Sequence, residues 1–526
     1  MIRVSLPPVK QAPKRSASSS HRSRALLPPA AGPRILRARG AGIDALLAMM
    51  PDCAGPEGCA ELPESQRWRD LLGRARPRAG TVRSTSLANR RQTLAVLGFV
   101  KSGASAFERL ALAGRMMREA AARGPRTIGL ATAGFSAAAG GPAAAEASLE
   151  ALLAAALAEA FALPSYRAPA PDERHITRIQ LPIGAKLDVR YAEICAQGTN
   201  LARWLTALPP NMLDCRGYRA ALTQLARRHG LGMSWLGEQA LRRAGAEAFL
   251  AVAAGNESPA AGIAHLTYRP PGHRAGPPDL ALVGKGILFD TGGINLKPHR
   301  SMLDMHTDMG GSAVALATLI ALAQLRAPVA AEAWLAITEN NIGPRAYRPQ
   351  EIVRAANGVT IQVIHTDAEG RMALADTLAL AGRTRPRFML DFATLTGACV
   401  HSLTERMSGV FTNRPALAAK LVEAGRESGE RVWHFPFDAD YDSDLESKVA
   451  DVLQCAADGK GDHILAARFL GRFVPEDTPW AHVDLSSATR TGGLGHVNTE
   501  VTGFGVRYAL ELILKQDILK SLEGRQ

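Results

Sequence analysis

The sequence predicts an α/β protein. A larger C-terminal domain is built on a mainly parallel or mixed sheet flanked by helices, and a smaller α/β domain precedes it. Three observations carry this reading. The chain has 526 residues, several times the usual domain size, so two separate cores are expected. From residue 187 onward, short apolar runs alternate with helical patterns, as in parallel strands joined by crossover helices. The first of those helices stops at Pro209–Pro210, and the Ala-rich stretch before it carries no chemical motif.

Residues 1–43 are rich in Ser, Arg and Pro and hold few large apolar side chains, so they are expected to form a disordered basic arm. An organelle transit peptide or an over-extended translation start has the same composition. Nine Lys or Arg precede the first acidic residue, Asp44, so the rest of the chain carries only +4 of the net +13. A nearly neutral body gives no reason to expect a nucleic-acid partner. No apolar run approaches the ~18 residues that span a bilayer, and no membrane association is expected. The six cysteines lack CxxC spacing, which points to reduced thiols and a cytosolic compartment.

Residues 44–180 are assigned to the N-terminal α/β domain, with a strand at Gly129–Thr132 and a helical Ala/Leu run at Ala144–Leu163. The C-terminal domain, 181–526, opens with a connector helix over Leu187–Leu208. Strands are expected at Leu280–Leu288, Ala330–Thr338, Thr360–His365, Phe388–Phe392 and Trp480–Leu485. Helices are expected at Ser312–Leu325, from Leu374, and at Ile464–Phe473. In such sheets ligands bind beyond the carboxyl ends of the strands.

The residues with chemistry fall at those ends. Thr366-Asp-Ala-Glu-Gly-Arg371 follows an apolar strand, and in an extended backbone Asp367, Glu369 and Arg371 share one face. A solvated salt-bridge row on an edge strand is the plainer alternative. Lys285 lies inside the apolar strand that ends at Asp290, flanked by glycines, and a core lysine is costly without a partner. The segment lacks the spacing of a phosphate-binding loop. Lys297 follows the glycine turn, and Asp308 precedes an Ala-rich helix, where it could simply be an N-cap. Together these are three Asp, one Glu, two Lys and one Arg in one domain. Several carboxylates with few neutralising groups suit hard or borderline divalent ions, two rather than one. No HExxH, GxSxG, Walker or GxGxxG pattern competes. His299, His306, His365, His463 and His482 read as surface or supporting residues rather than ligands.

In the segments His365-Thr-Asp-Ala-Glu-Gly-Arg371, VGKG-x-x-FD-x-GG, LKP, DMGG, RAYRP, Asp391-Phe-Ala-Thr-Leu-Thr-Gly-Ala398 and Trp480-Ala-His-Val-Asp484, the chain resembles the leucyl aminopeptidases, or cytosol aminopeptidases. The likeness covers about residues 180 to 515. It implies a dinuclear peptidase with two Mn²⁺ or Zn²⁺ ions, in which Asp290 and Glu369 bridge, Lys285 and Asp308 complete one site, and Asp367 the other. It further implies that Lys285 is a neutral ligand, that Lys297 polarises the scissile carbonyl, and that Arg371 holds a bicarbonate ion. Met305 and Thr394 would line the pocket for the first residue, with Leu395 and Gly397 aligning the peptide. Peptide substrates, a variable N-terminal domain and a homohexamer are also implied. The chain departs from the likeness at His365, Thr291 and Asn341, and it matches poorly over Asp451–Asp462 and Thr489–Thr499. The alternative from another class is a nucleic-acid-binding or regulatory protein on a relict peptidase fold, using the basic arm.

Overall fold

The computed structural model describes residues 26–29, 32–38, 42–73, 77–167, 175–273 and 276–522. Two sheets organise the chain. The first has six strands in the order Arg34–Arg37, Arg178–Leu181, Thr127–Thr132, Ala45–Pro51, Leu94–Val100 and Val82–Ser86, all parallel to their neighbours except the last. Its central strands are apolar without interruption because both faces are covered. Leu47 and Met49 pack under the helices Ala106–Ala121 and Gly141–Glu159, whereas Leu46, Ala48 and Met50 meet Trp68 and Leu72 on the other side.

Part of the arm expected over 1–43, residues 26–29 and 32–38, is ordered against the fold. Leu26 and Leu27 are buried in the core of the larger domain, and Trp204 Nε1 donates to the Leu26 carbonyl at 3.0 Å. Arg34–Arg37 is an edge strand paired to Arg178–Leu181. An edge strand needs only one backbone partner, so its basic, Pro-rich surroundings hid it. Residues 1–25, 30–31 and 39–41 lie outside the described residues. Deleting 1–43 is therefore expected to lower the thermal midpoint well below that of a chain lacking only 1–25, because each buried leucine contributes ~1.5–3 kcal/mol. Differential scanning calorimetry checks this, and equal midpoints would show that the two leucines and the strand contribute nothing.

The second sheet has eight strands: Val432–His434, Ser408–Thr412, Trp480–Asp484, Phe388–Ala393, Leu280–Asp290, Ala331–Asn340, Gly262–Tyr268 and Gly232–Gly237. The middle four are parallel, and antiparallel pairings join the outer strands on both sides, giving the mixed sheet expected. Thr360–Gln362 does not join it. This short strand pairs instead with Ile352–Arg354 and Val452–Leu453 in a separate three-stranded sheet.

Helix Gly310–Leu325, buried from Gly310 to Leu322, packs between the sheet and the connector helix Val189–Thr206. Helix Gly141–Glu159 and the segment 299–325, which ends in helix Gly310–Leu325, are long and apolar enough to cross a bilayer, but most of each lies inside the fold. The start of Gly310–Leu325 presses on the sheet so closely that a Cβ on Gly311 would stand 2.1 Å from the Phe392 carbonyl oxygen, and one on Gly284 would stand 2.6 Å from the Ser312 Cα. Glycine at both positions lets the helix start sit against the strand that carries Lys285.

Candidate metal centre

Strand Leu280–Asp290 delivers Lys285 from its interior and Asp290 from its carboxyl end. The chain then turns through Gly292 and Gly293, both at positive φ, and Lys297 N donates back to the Thr291 carbonyl at 2.9 Å. This hairpin brings Lys297 over Asp290, with Nζ 3.0 Å from Oδ2. Asn295 and Thr366 staple it to the neighbouring loop: Asn295 N donates to Thr366 Oγ1 at 2.8 Å, and Thr366 N donates to Asn295 Oδ1 at 2.9 Å. Asp367 follows at once, its Oδ1 2.6 Å from Lys297 Nζ.

The extended face expected for Asp367, Glu369 and Arg371 is corrected. Asp367 lies in a loop, and Glu369 opens the helix Glu369–Gly382. Positions two apart on a helix are about 200° apart, so Glu369 meets Lys285 while Arg371 reaches Asp462. Nor does Asp308 N-cap the Ala-rich helix. The helix Gly310–Leu325 has Met309 at its N-cap, and the Asp308 carboxylate is 2.8 Å from Lys285 Nζ and accepts from Thr394 Oγ1 at 2.7 Å.

Two lysines thus stand among four carboxylates. Lys285 Nζ lies 2.8 Å from Asp308 and 3.0 Å from Glu369, and donates to the Thr394 carbonyl at 2.9 Å. Burial works against the Lys285 charge, but Asp308, Glu369 and Asp290 outweigh it and hold its pKa above the ordinary lysine value. Lys297 is likewise raised, by Asp290, Glu369 and Asp367, against burial. Burial and the neighbouring carboxylates push Glu369 up to about 8. Asp308 rises to about 6 by burial, with Lys285 opposing.

Carboxylate oxygens of Asp290, Asp367 and Glu369 lie within 4.8 Å of one another. Asp308 Oδ2 and Asp367 Oδ1 accept no well-directed hydrogen bond, although a lysine nitrogen is close to each. Crowded, buried and under-satisfied oxygen donors fit divalent cations, and the two lysines fill part of that need for positive charge. No histidine belongs to the cluster.

All these side chains line one cleft of about 360 Å³, together with Arg371, Met305, Thr394, Leu395 and Gly397. A larger cavity of about 710 Å³ lies elsewhere, against helix Val189–Thr206, and shares none of them. Asp484, which the sequence reading left without a role, also lines the cleft. Its Oδ1 accepts from Leu395 N at 3.1 Å and its Oδ2 from Thr396 Oγ1 at 2.6 Å, so it shapes the 394–397 loop. Asn340 was missed too. Its Nδ2 donates to Asp290 Oδ1 at 2.8 Å and to the Thr366 carbonyl at 3.0 Å. A signal for both existed, since each is a polar residue at the carboxyl end of a central strand, as Asp290 is.

Residues 200–510 match the catalytic domain of the cytosol aminopeptidase family. A probable cytosol aminopeptidase of Synechococcus sp. (strain JA-3-3Ab) is 42% identical over 327 residues, 61% of this chain and 63% of that protein. This chain thus spans less than two thirds of that relative. A second, from Synechococcus sp. (strain CC9605), is 37% identical over 446 residues, 82% of this chain and 88% of its own length. Among solved structures, a tomato leucine aminopeptidase mutant superposes with a TM-score of 0.79 at 27% identity, covering 93% of this chain and 98% of that one. The bottromycin maturation enzyme BotP in complex with Mn superposes with a TM-score of 0.76 at 29% identity, covering 90% and 99%.

Proposed function

We propose that this chain, which belongs to the cytosol aminopeptidase family, is a metal-dependent aminopeptidase that hydrolyses the N-terminal residue from peptides, with a leucine-like preference. One observation carries the reading: four carboxylates and two lysines from separate elements converge on a single cleft. Asp290, Asp308, Asp367, Glu369 and the Lys285 amine are the groups that would hold two divalent ions, Mn²⁺ or Zn²⁺. When bound, the ions supply Lewis-acid activation of water and of the peptide carbonyl, and an anchor for the free amine. With such ions held there, Lys285 would serve as a neutral ligand and the ions' charge would take over as partner of the carboxylates.

The remaining steps belong to the chain. Lys297, partly open to the cleft, places an ammonium where it stabilises negative charge developing on the scissile carbonyl oxygen. The 394–397 loop, held by Asp484, offers backbone groups to align the peptide. Met305 and Thr394 bound the space for the first side chain. Arg371 is the buried cation of the cleft wall. Its Nη2 already meets both Asp462 oxygens, so the bicarbonate implied for it would have to share the guanidinium with a carboxylate of the chain. The proposal extends to a cytosolic homohexamer. The six cysteines are free, and Ile294, Leu296 and Leu303 expose apolar surface on the segment that carries Lys297. The alternative of a nucleic-acid-binding or regulatory protein on a relict fold is not favoured, because every chemistry-bearing residue is retained and converges.

Mass spectrometry of products tests the reading. The metal-loaded protein is expected to release one residue at a time from leucyl peptides and to leave N-acetylated copies intact. Equal cleavage of the acetylated peptide, or no cleavage of any free peptide, would refute it.

A further inference from the structure

We propose that Asp462 is a built-in anionic partner of Arg371, which positions the guanidinium on the cleft wall and takes the place of a free anion there. The inference rests on the aminopeptidase reading for its consequence and on the structure for its geometry. Arg371 is the third residue of helix Glu369–Gly382, 2% exposed, and lines the cleft beside Glu369. A guanidinium so deeply buried requires a counter-charge. Its Nη2 lies 2.8 Å from both Asp462 oxygens, and its Nη1 donates to the Gln454 carbonyl at 3.3 Å.

Asp462 is also fixed from its own side. It is the first residue of the ten-residue helix Asp462–Gly471, entered through Gly461 at a φ of 59°. A helix N-terminus favours a carboxylate in its anionic form, so Asp462 is held both by that terminus and by Arg371. A free anion would have to compete for Arg371 with a carboxylate already ordered by the fold, while itself losing translational freedom. Arg371 Nε has no hydrogen-bond partner, so the guanidinium is not saturated. What Asp462 removes is the net positive charge that draws an anion. Asp462 lies in 451–462, one of the two segments that depart from the resemblance. The disagreement with an Arg371-bound bicarbonate is thus local to a segment in which this chain differs.

Calorimetric titration of bicarbonate into CO₂-free holoenzyme tests the proposal, using wild type, D462N, D462A and the double variant D462A/R371M. Wild type is expected to show no saturable binding. D462N and D462A are expected to bind, and the double variant to lose that binding. In parallel, D462A should lower kcat on a leucyl-anilide ~10- to 100-fold at unchanged KM, through misplacement of the guanidinium. Added bicarbonate or formate should restore the rate, while leaving wild type unaffected. Saturable wild-type binding as tight as that of D462A would overturn the proposal. So would D462N and D462A variants that stay folded but neither bind nor respond to an anion. If no form hydrolyses any substrate, the aminopeptidase reading falls, and the calorimetry still decides the role of Asp462.

Discussion

Stripping divalent ions from the purified protein is expected to abolish hydrolysis of a leucyl-anilide and to lower its thermal midpoint, with Mn²⁺ or Zn²⁺ restoring both. The expectation follows from the charge inventory of the cleft. Among the described residues, the cations in direct contact with Asp290, Asp308, Asp367 and Glu369 are the ammonium groups of Lys285 and Lys297, while Arg371 pairs with Asp462. Three of the carboxylates are almost wholly buried, where an uncompensated charge costs several kcal/mol. The upward shifts of Glu369 and Asp308 express that strain. A cation that binds only the folded chain stabilises it by mass action, about 2.7 kcal/mol for one site at a hundred times its Kd. Calorimetry with added metal, read beside the rate, therefore reports binding even where turnover is lost. Full activity after metal loss has been confirmed by elemental analysis would sink the dinuclear reading.

The fold was most legible where strands are buried on both faces. Leu280–Asp290 and Phe388–Ala393 read as mainly apolar runs, broken only by the charged residues Lys285, Asp290 and Asp391, because helices cover them on each side. The outer strands gave weak signals. Gly232–Gly237 is half-exposed and flanked by glycines, and Val432–His434 has only three residues, too few to show a period. Arg34–Arg37 was hidden by its composition, since an edge position accepts side chains that a core strand cannot.

The site shows the same division. Residue type and strand-end placement marked Lys285, Asp290, Asp308, Asp367 and Glu369, all of which the fold brings into one cleft. Relations set by tertiary folding stayed invisible. Asp462 lies 91 residues beyond Arg371, and Asn340 lies 50 beyond Asp290, so no local spacing could link either pair. The backbone of 366–371 was misread because a motif two residues wide fits a strand and a helix start equally well until the following residues fold.

The two lysines offer the sharpest division of labour. Lys285→Ala is expected to lower metal content and stability together, whereas Lys297→Ala should keep both metal equivalents and lose kcat by about 10²- to 10³-fold, the usual effect of removing one donor to an oxyanion. Position is the reason. Lys285 is 3% exposed, wedged between Asp308 and Glu369 and donating to the Thr394 carbonyl, so its removal leaves buried carboxylates without their nearest cation and opens a cavity under the site. A Cβ on Gly370 would stand 2.6 Å from Lys285 Nζ, which shows how little space surrounds the amine. Lys297 instead arrives on a solvent-facing hairpin, and its partners Asp290 and Asp367 remain linked to the rest of the cluster without it. Elemental analysis of each purified variant, set beside its kcat and KM, separates the roles. Metal loss of equal size in both variants would make Lys297 a structural counter-ion like Lys285, and its assignment to the developing oxyanion would be wrong.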